Sequence, residues 1–565
     1  MASVEEEQVF DCIKNKKSFV LDAGAGSGKT WTLVQALNYI LETKSKELKK
    51  NGQKIVCITY TNIAKDEIIE RTEHNELINV STIHDFLWKC IKRFQSELKV
   101  KFLELLEEKL AKEQETLNTL TLRAVKEREK SESNITRYKE AINSLNSKTI
   151  KINYDNFSNY KEGKFSHDAL IVIAEKIFSS YPKIRKIITD TYPIIFVDEY
   201  QDTQKETVAI LLNYLKEKQD FTLGFFGDKR QQIYDTGIGE IPAEHKLKLI
   251  QKTENYRSSK DVIELLNKIR SDIQQYQPPT NTRRGKILFF HKSDTTNFSA
   301  KLFIEQHLKD KWKLYSVDDV KILYLTHRLI AKENGYEELY QIHSKNQDVL
   351  IRNKDNRGLS PYTDYLIDIE ELAILFSEKR IQQLLKNISF EMRSFDSTKK
   401  LKGLLNNFVE IRKTKKIKDV IEFVANNNIL VFTEKIKKYD LEDKEKKDFY
   451  EKLMNIDYSQ FIRFYQVLQD NTPFSTKHNT KGDEFNNVLV IVDDNSWKQN
   501  YNFDDYFSNN LANEQRHNKT SNLFYVVCSR AKINLAVICL SPLSDEAKLR
   551  IKEWFQASNY IEINT

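Results

Sequence analysis

The chain has 565 residues, 30% of them charged and 40% hydrophobic, with 89 basic against 82 acidic side chains. That length leaves room for roughly three or four domains. No apolar run approaches a membrane span, and the five cysteines show no CxxC pairing that would frame a zinc site or a disulfide scaffold. The formal net charge of +7 fits a local nucleic-acid groove without demanding one. Met1 to Glu7 is acidic and lacks an apolar signal core, so the expected location is cytoplasmic.

A short helix is expected around Val9, Phe10 and Ile13, facing inward, with Gln8 a solvated residue if taken alone. The apolar run Phe19-Val20-Leu21 follows, and then Ala23-Gly24-Ala25-Gly26-Ser27-Gly28-Lys29-Thr30 before a helical segment from Thr32 to Leu41. Strand, glycine-rich turn and Gly-Lys-Thr opening a helix is the setting of a phosphate-binding loop. Glycines let backbone N–H groups converge on a phosphate without a Cβ in the way, and the helix dipole adds to the attraction. Lys29 would reach the terminal phosphates, and the Thr30 hydroxyl would hold Mg²⁺. The chain is therefore expected to bind a nucleoside triphosphate.

Ile55 to Thr59 reads as a buried strand, followed by Tyr60-Thr61-Asn62 and a helix from Ala64 to Arg71. Val80 to Phe86 forms a polar-aromatic strand-to-helix junction. From about Phe94 to Lys161, leucines at 103, 106, 110, 117 and 120 and Ala124 keep a 3–4 spacing, broken at Glu113, among lysines and glutamates. This predicts a long helix returning as a hairpin through Tyr138–Leu145. Its charges read most simply as a solvated face; a grip on DNA or on a partner protein is the alternative. Tyr192 to Glu199 is an apolar run ending in two carboxylates, the pattern of a buried parallel strand whose C-terminal end reaches a metal site. A further strand, Thr222 to Phe226, ends at Gly227-Asp228-Lys229-Arg230-Gln231-Gln232-Ile233-Tyr234. A second α/β unit follows, with strands expected at 285–290, 321–326, 488–492 and 535–540 and a mostly helical, Lys-rich insertion over 336–472. Pro278-Pro279 and the polar stretch 469–481 are expected joints.

In order, the chain carries Gln8, AGAGSGKT (23–30), ITYTNIAKDEI (58–68), STIHDF (81–86), VDEYQDT (197–203), GDKRQQIY (227–234), ENYRS (254–258), KHNTKGDEF (477–485) and NLFYVVCSRAK (522–532). On these motifs it resembles the UvrD/Rep/PcrA group of superfamily 1 DNA helicases, over some 300 residues and not in the two insertions. The resemblance implies an α/β fold of two RecA-like parallel-sheet domains flanking an ATP cleft, each with a mainly helical insertion. The first domain would comprise 1–93 and 186–250 around an insertion at 94–185. The second would comprise 251–335 and 473–565 around the insertion at 336–472.

Residue by residue, the resemblance assigns Gln8 to reading adenine, Tyr256 to stacking on it and Glu484 to the ribose side. Ala23 to Thr30 would cradle the phosphates, Thr30 and Asp198 would hold Mg²⁺, and Glu199 would orient the attacking water. Gln231 matches the γ-phosphate sensor, and Arg257 and Arg530 match two arginines offered from the second domain. Tyr60, Asn62, His84, Phe86, Tyr234 and His478 match the DNA-contacting positions. The sequence departs from the group after Tyr234, where Asp235-Thr236 replaces a Trp-Arg pair, and at Asn518-Lys519-Thr520-Ser521, which replaces Glu-Glu-Arg-Arg. Two functions follow: a 3′→5′ ATP-driven motor on single-stranded or tailed duplex DNA, in repair or anti-phage defence, or a DNA-activated ATPase sensor with little unwinding. The second resembles the helicase-like subunit of a Gabija-type system, whose partner is a nuclease.

Overall fold

The computed structural model describes residues 3–59, 62–121, 124–155, 158–216, 220–232, 237–293, 298–325, 327–345, 361–391, 394–432, 436, 444–469, 474–476, 483–494 and 501–563. The chain divides into two compact units, Met1–Thr282 and Arg283–Thr565. Residues 251–282, expected at the head of the second domain, belong to the first unit, and the boundary falls just past Pro278-Pro279.

In the first unit, helix α1 (Val4–Lys14) begins with a capping box in which Ser3 and Glu6 satisfy each other's backbone N–H groups. Then come β1 (Phe19–Ala23), α2 (Lys29–Lys50), β2 (Ile55–Thr59), α3 (Asn62–Arg71), β3 (Ile78–Thr82) and α4 (Ile83–Ile91). The inserted hairpin is α5 (Gln95–Thr119) and α6 (Val125–Ser147), followed by the short strands β4 (Asn153–Tyr154) and β5 (Lys164–Phe165). Helices α7 (His167–Ser180) and α8 (Pro182–Thr191) lead into β6 (Ile194–Asp198), α9 (Lys205–Ile210), β7 (Thr222–Gly227), β8 (Lys248–Lys252) and α10 (Lys260–Ile269).

Six strands form one parallel sheet in the order β3-β2-β6-β7-β1-β8. Its inner strands β1, β2, β6 and β7 are buried on both faces because helices cover both. Alternate residues separate accordingly. Val20, Val56, Val197 and Phe225 enter a core with the helices from α4 to α9, while Phe19, Leu21, Cys57 and Phe196 enter another with α1 and α2. Because all strands run the same way, the turns after β1, β6 and β7 emerge along one edge of the sheet. In α5 the fully buried positions are Leu98, Phe102 and Leu106; Leu103, Leu110 and Leu117 are half-buried, because only the first part of the hairpin lies on the core.

The second unit has its own parallel sheet, β9 (Ile287–His291), β10 (Val320–Tyr324), β11 (Phe474–Thr476), β12 (Phe485–Val492), β13 (Ala531–Cys539) and β14 (Tyr560–Glu562), in the order β11-β10-β12-β13-β9-β14. Helices at Pro361–Ser377, Phe395–Thr414, Ile417–Asn426, Lys444–Met454 and Tyr458–Leu468 are inserted between β10 and β11. They share one core with the sheet, where Phe290, Ile322 and Ile491 meet Tyr365, Phe408 and Phe461.

Candidate functional site

The turn after β1 is built for an anion. Gly28 takes a left-handed conformation (φ 80°, ψ 39°) and hands the chain directly to α2 at Lys29. The first turn of α2 contains no acidic side chain, so its free N–H groups and positive dipole end are uncompensated from within the helix. Ser27 closes the turn, donating from both Oγ (2.7 Å) and N–H (3.2 Å) to the Gly24 carbonyl. Lys29 and Thr30 occupy the first two positions of α2.

Two carboxylates stand at the end of β6, which β7 separates from β1 in the sheet. Asp198 ends β6 and is buried; Glu199 follows it in a left-handed conformation (φ 48°, ψ 47°). For a residue with a Cβ that conformation costs about 1–2 kcal/mol, and it aims the carboxylate away from the strand. Glu199 Oε2 accepts from Gln201 Nε2 at 2.6 Å and lies 3.7 Å from Lys29 Nζ. Gln201 is itself fully buried and accepts from the Asp228 N–H at 3.1 Å, so β6 and β7 are tied together behind Glu199.

Asp228, at the end of β7, is the hub of a second network. It accepts from Gln231 Nε2 at 2.8 Å and from Arg270 Nη1 at 3.0 Å, and both members of the Asp228–Arg270 pair have fully buried side chains. Arg270 also forks onto Asp272, with two bonds of 2.9 Å. Desolvation pushes the Asp272 carboxyl up, but the hydrogen bonds and charge of Arg270, joined by Arg230 and a backbone bond, leave it below its ordinary value. Asp22 on β1 shares these surroundings. Burial, reinforced by Asp228, pushes its carboxyl up to about 6, and among the described residues its Oδ1 has no hydrogen-bond partner.

The ENYRS segment lies against the phosphate-loop turn, within the first unit, so Arg257 is not supplied by the second. The Tyr256 N–H donates to the Gly26 carbonyl at 2.9 Å, and its ring is 41% exposed. The Tyr256 hydroxyl donates to Glu254, and burial together with that bond pushes the phenol well up. Gln8 is exposed on α1, whose Glu6 lies 3.7 Å from the buried Lys252 ammonium; Lys252 in turn donates to Thr32 of α2 at 2.9 Å. The first turn of α2 also presents Trp31, 55% exposed, which sequence reading gave no role.

The expected DNA residues divide. Tyr60, Tyr234 and His478 lie outside the described residues, and Asn62 opens α3. His84 packs edge-on against His167 at 4.8 Å between ring centroids. Phe86 is a correction: it is fully buried on the inner side of α4, 5.8 Å from the Tyr192 ring, and belongs to the core instead of a base-stacking surface. In the second unit, Glu484 is exposed, 3.5 Å from Lys532 Nζ. Arg530 is buried, its Nε donating to the Val526 carbonyl at 3.0 Å and its Nη2 to Ser529 Oγ at 3.1 Å.

Residues 3–241 match the UvrD/REP helicase N-terminal domain. The chain is 29% identical to a Gabija protein GajB of Bacillus cereus, over 97% of its own length and 96% of the relative's. It is 22% identical to the ATP-dependent DNA helicase PcrA of Staphylococcus epidermidis, over 56% of this chain and 47% of that one. The PcrA of Staphylococcus aureus matches at 22% over the same shares, so the chain spans about half the length of these helicases.

Proposed function

We propose, from the match of residues 3–241 to the UvrD/REP helicase N-terminal domain, that the chain is an ATP-dependent DNA helicase or translocase of anti-phage defence or DNA repair, moving 3′→5′ on single-stranded DNA. The observation that carries this reading is the meeting of Lys29 and Glu199, 170 positions apart, at 3.7 Å beside the phosphate-loop turn. Phosphoryl transfer requires positioning and charge compensation more than covalent chemistry. In this reading Lys29 and the N–H groups of 24–30 hold the phosphates. Glu199, braced by Gln201, orients the attacking water.

The donor set fits a hard cation, since the Thr30 hydroxyl sits in the first turn of α2 and a buried Asp198 carboxylate ends β6 of the same sheet. Mg²⁺ held there would offset charge on the terminal phosphates. Gln231, oriented by Asp228, and Arg257 and Arg530 are assigned to the γ-phosphate. Gln8 and Tyr256 are assigned to the adenine and Glu484 to the ribose. Tyr60, Asn62, His84, Tyr234 and His478 are assigned to the DNA strand.

Similarity over nearly the whole chain to a Gabija protein supports a second reading, a DNA-activated ATPase that regulates a nuclease partner. Strand displacement on duplexes with a 3′ or a 5′ tail separates the two. Displacement from the 3′ tail alone fits the motor. ATP hydrolysis without displacement fits the regulator, and displacement from the 5′ tail alone would overturn the polarity. Among the described residues no helix is long and apolar enough to cross a membrane, in keeping with a cytoplasmic site of action.

A further inference from the structure

The phosphate-loop turn needs its glycines for more than a phosphate. A Cβ on Gly24 would come within 2.5 Å of the Gln275 carboxamide, and one on Gly26 within 2.6 Å of Arg257 Cβ and 2.7 Å of Asn255 Oδ1. A Cβ on Gly28 would meet only Trp31, at 3.7 Å. Two of the three glycines therefore make room for protein.

What fills that room is a pair of buried carboxamides converging on one carbonyl. Asn255 Nδ2 and Gln275 Nε2 each donate to the Ala25 oxygen at 3.0 Å, and the Tyr256 N–H donates to the next carbonyl, Gly26. Asn255 has all four hydrogen-bonding positions engaged. Its Oδ1 accepts from the N–H groups of Arg257 (3.0 Å) and Ser258 (2.9 Å), and its Nδ2 also reaches Gln275 Oε1 at 3.4 Å. Gln275 is fixed by its backbone, which exchanges bonds of 2.8 and 2.7 Å with the Asn267 side chain. Asn281, next to the last residue of the unit, donates to the carbonyls of Asn255 (2.9 Å) and Ser258 (2.8 Å).

A peptide carbonyl pinned by two donors fixes the plane of the peptide that follows it, because the peptide unit is planar. The Ala25 carbonyl belongs to the same peptide as the Gly26 N–H, and the Gly26 carbonyl to the same peptide as the Ser27 N–H. Pinning the Ala25 carbonyl therefore sets the direction of the Gly26 N–H, while the Ser27 N–H is turned back onto the Gly24 carbonyl at 3.2 Å.

We propose that Asn255 and Gln275 are positioning residues for nucleotide binding: a carboxamide clamp that holds the peptide between Ala25 and Gly26 with its N–H in the direction that donates to a phosphate. This rests on the reading of residues 23–30 as an ATP site. Neither side chain touches the nucleotide in this account; both act through the backbone of the turn. The clamp also ties the turn, through Asn255 and Asn281, to the residues at which the chain leaves the first unit.

The test uses the full-length chain and equilibrium binding of a fluorescent ATP analogue with Mg²⁺, alongside steady-state ATPase and thermal denaturation. Gln275→Leu keeps the bulk over Gly24 and deletes one donor. Asn255→Asp keeps the two acceptor bonds of the turn and replaces the donor with a second oxygen facing the Ala25 carbonyl. Each is expected to weaken nucleotide binding roughly tenfold, with KM rising and kcat held within about threefold, and Gln275→Glu is expected to be worse than Gln275→Leu. A folded Gln275→Leu variant that binds the analogue as tightly as wild type overturns the clamp. So does a kcat loss with KM unchanged. Should Gln275→Leu fail to fold, Asn255→Asp carries the same comparison. A folded wild-type chain that binds no ATP overturns the ATP-site reading and the clamp with it, an outcome distinct from wild-type binding unchanged in the variants.

Discussion

Replacing Glu199 by Gln separates chemistry from folding more cleanly than any other single change in this site. The amide keeps the length and the acceptor oxygen that Gln201 Nε2 reaches at 2.6 Å, and it keeps the backbone in its left-handed turn. What is lost is the negative charge 3.7 Å from Lys29, in a pair whose side chains are 11% and 25% exposed. A partly exposed pair of that kind contributes at most about 1 kcal/mol, so the melting temperature should change little. Turnover should fall by about 10²–10⁴-fold, the usual contribution of a positioned general base. Affinity for ATP should hold or improve, because Lys29 is released from a competing carboxylate. The assay pairs single-turnover ATP hydrolysis with nucleotide binding on the same preparation. Hydrolysis within a few-fold of wild type would refute the role given to Glu199.

Three further outcomes follow from the same networks. Arg270→Met should cost about 3–5 kcal/mol in urea denaturation, because it leaves Asp228 buried without its cation; a loss below about 1 kcal/mol would show the pair to be dispensable. Gly26→Ala should cost about 2–5 kcal/mol, from its φ of 75° and a Cβ placed 2.6 Å from Arg257, whereas Gly52→Ala, left-handed but in open space, should cost only about 1–2 kcal/mol; equal losses would contradict the packing argument. Asp22 has its carboxyl raised to about 6 in the folded chain, so the fold binds its proton more tightly than the unfolded chain does. Stability from this group is present below pH ~4 and is lost as pH rises through ~6, by about 2–3 kcal/mol. Asp22→Asn should flatten that part of the pH–stability curve, and an unchanged curve would place the titration elsewhere.

Much of the architecture was legible because parallel strands buried on both faces leave continuous apolar runs, as in Phe19–Leu21, Ile55–Thr59 and Ile194–Val197. The strands expected at 285–290, 321–326, 488–492 and 535–540 lie within a few residues of β9, β10, β12 and β13. In the two six-stranded sheets the strands that escaped were β8, β11 and β14, each at an edge, and the short pair β4 and β5 escaped as well. Edge strands need no apolar run: Lys248-Leu249-Ile250-Gln251-Lys252 buries little beyond Ile250 and Lys252. The site was legible where one side chain carries a charge beside a glycine turn, as at Lys29, or ends a buried strand, as at Asp198 and Glu199. It was illegible where function passes through the backbone. Asn255, Gln275 and Arg270 are ordinary polar residues in sequence, and only the fold places their side chains against the Ala25 carbonyl or Asp228. Phe86 shows the converse: a motif aromatic whose position on α4 turns it into the core.

The most direct test of the account is the steady-state ATPase rate of the full chain with and without single-stranded DNA, with Glu199→Gln as the blank. The account predicts Mg²⁺-dependent hydrolysis that rises at least several-fold on adding single-stranded DNA and disappears in the variant. Hydrolysis indifferent to DNA, or no hydrolysis by a folded wild-type chain that binds ATP, would contradict it.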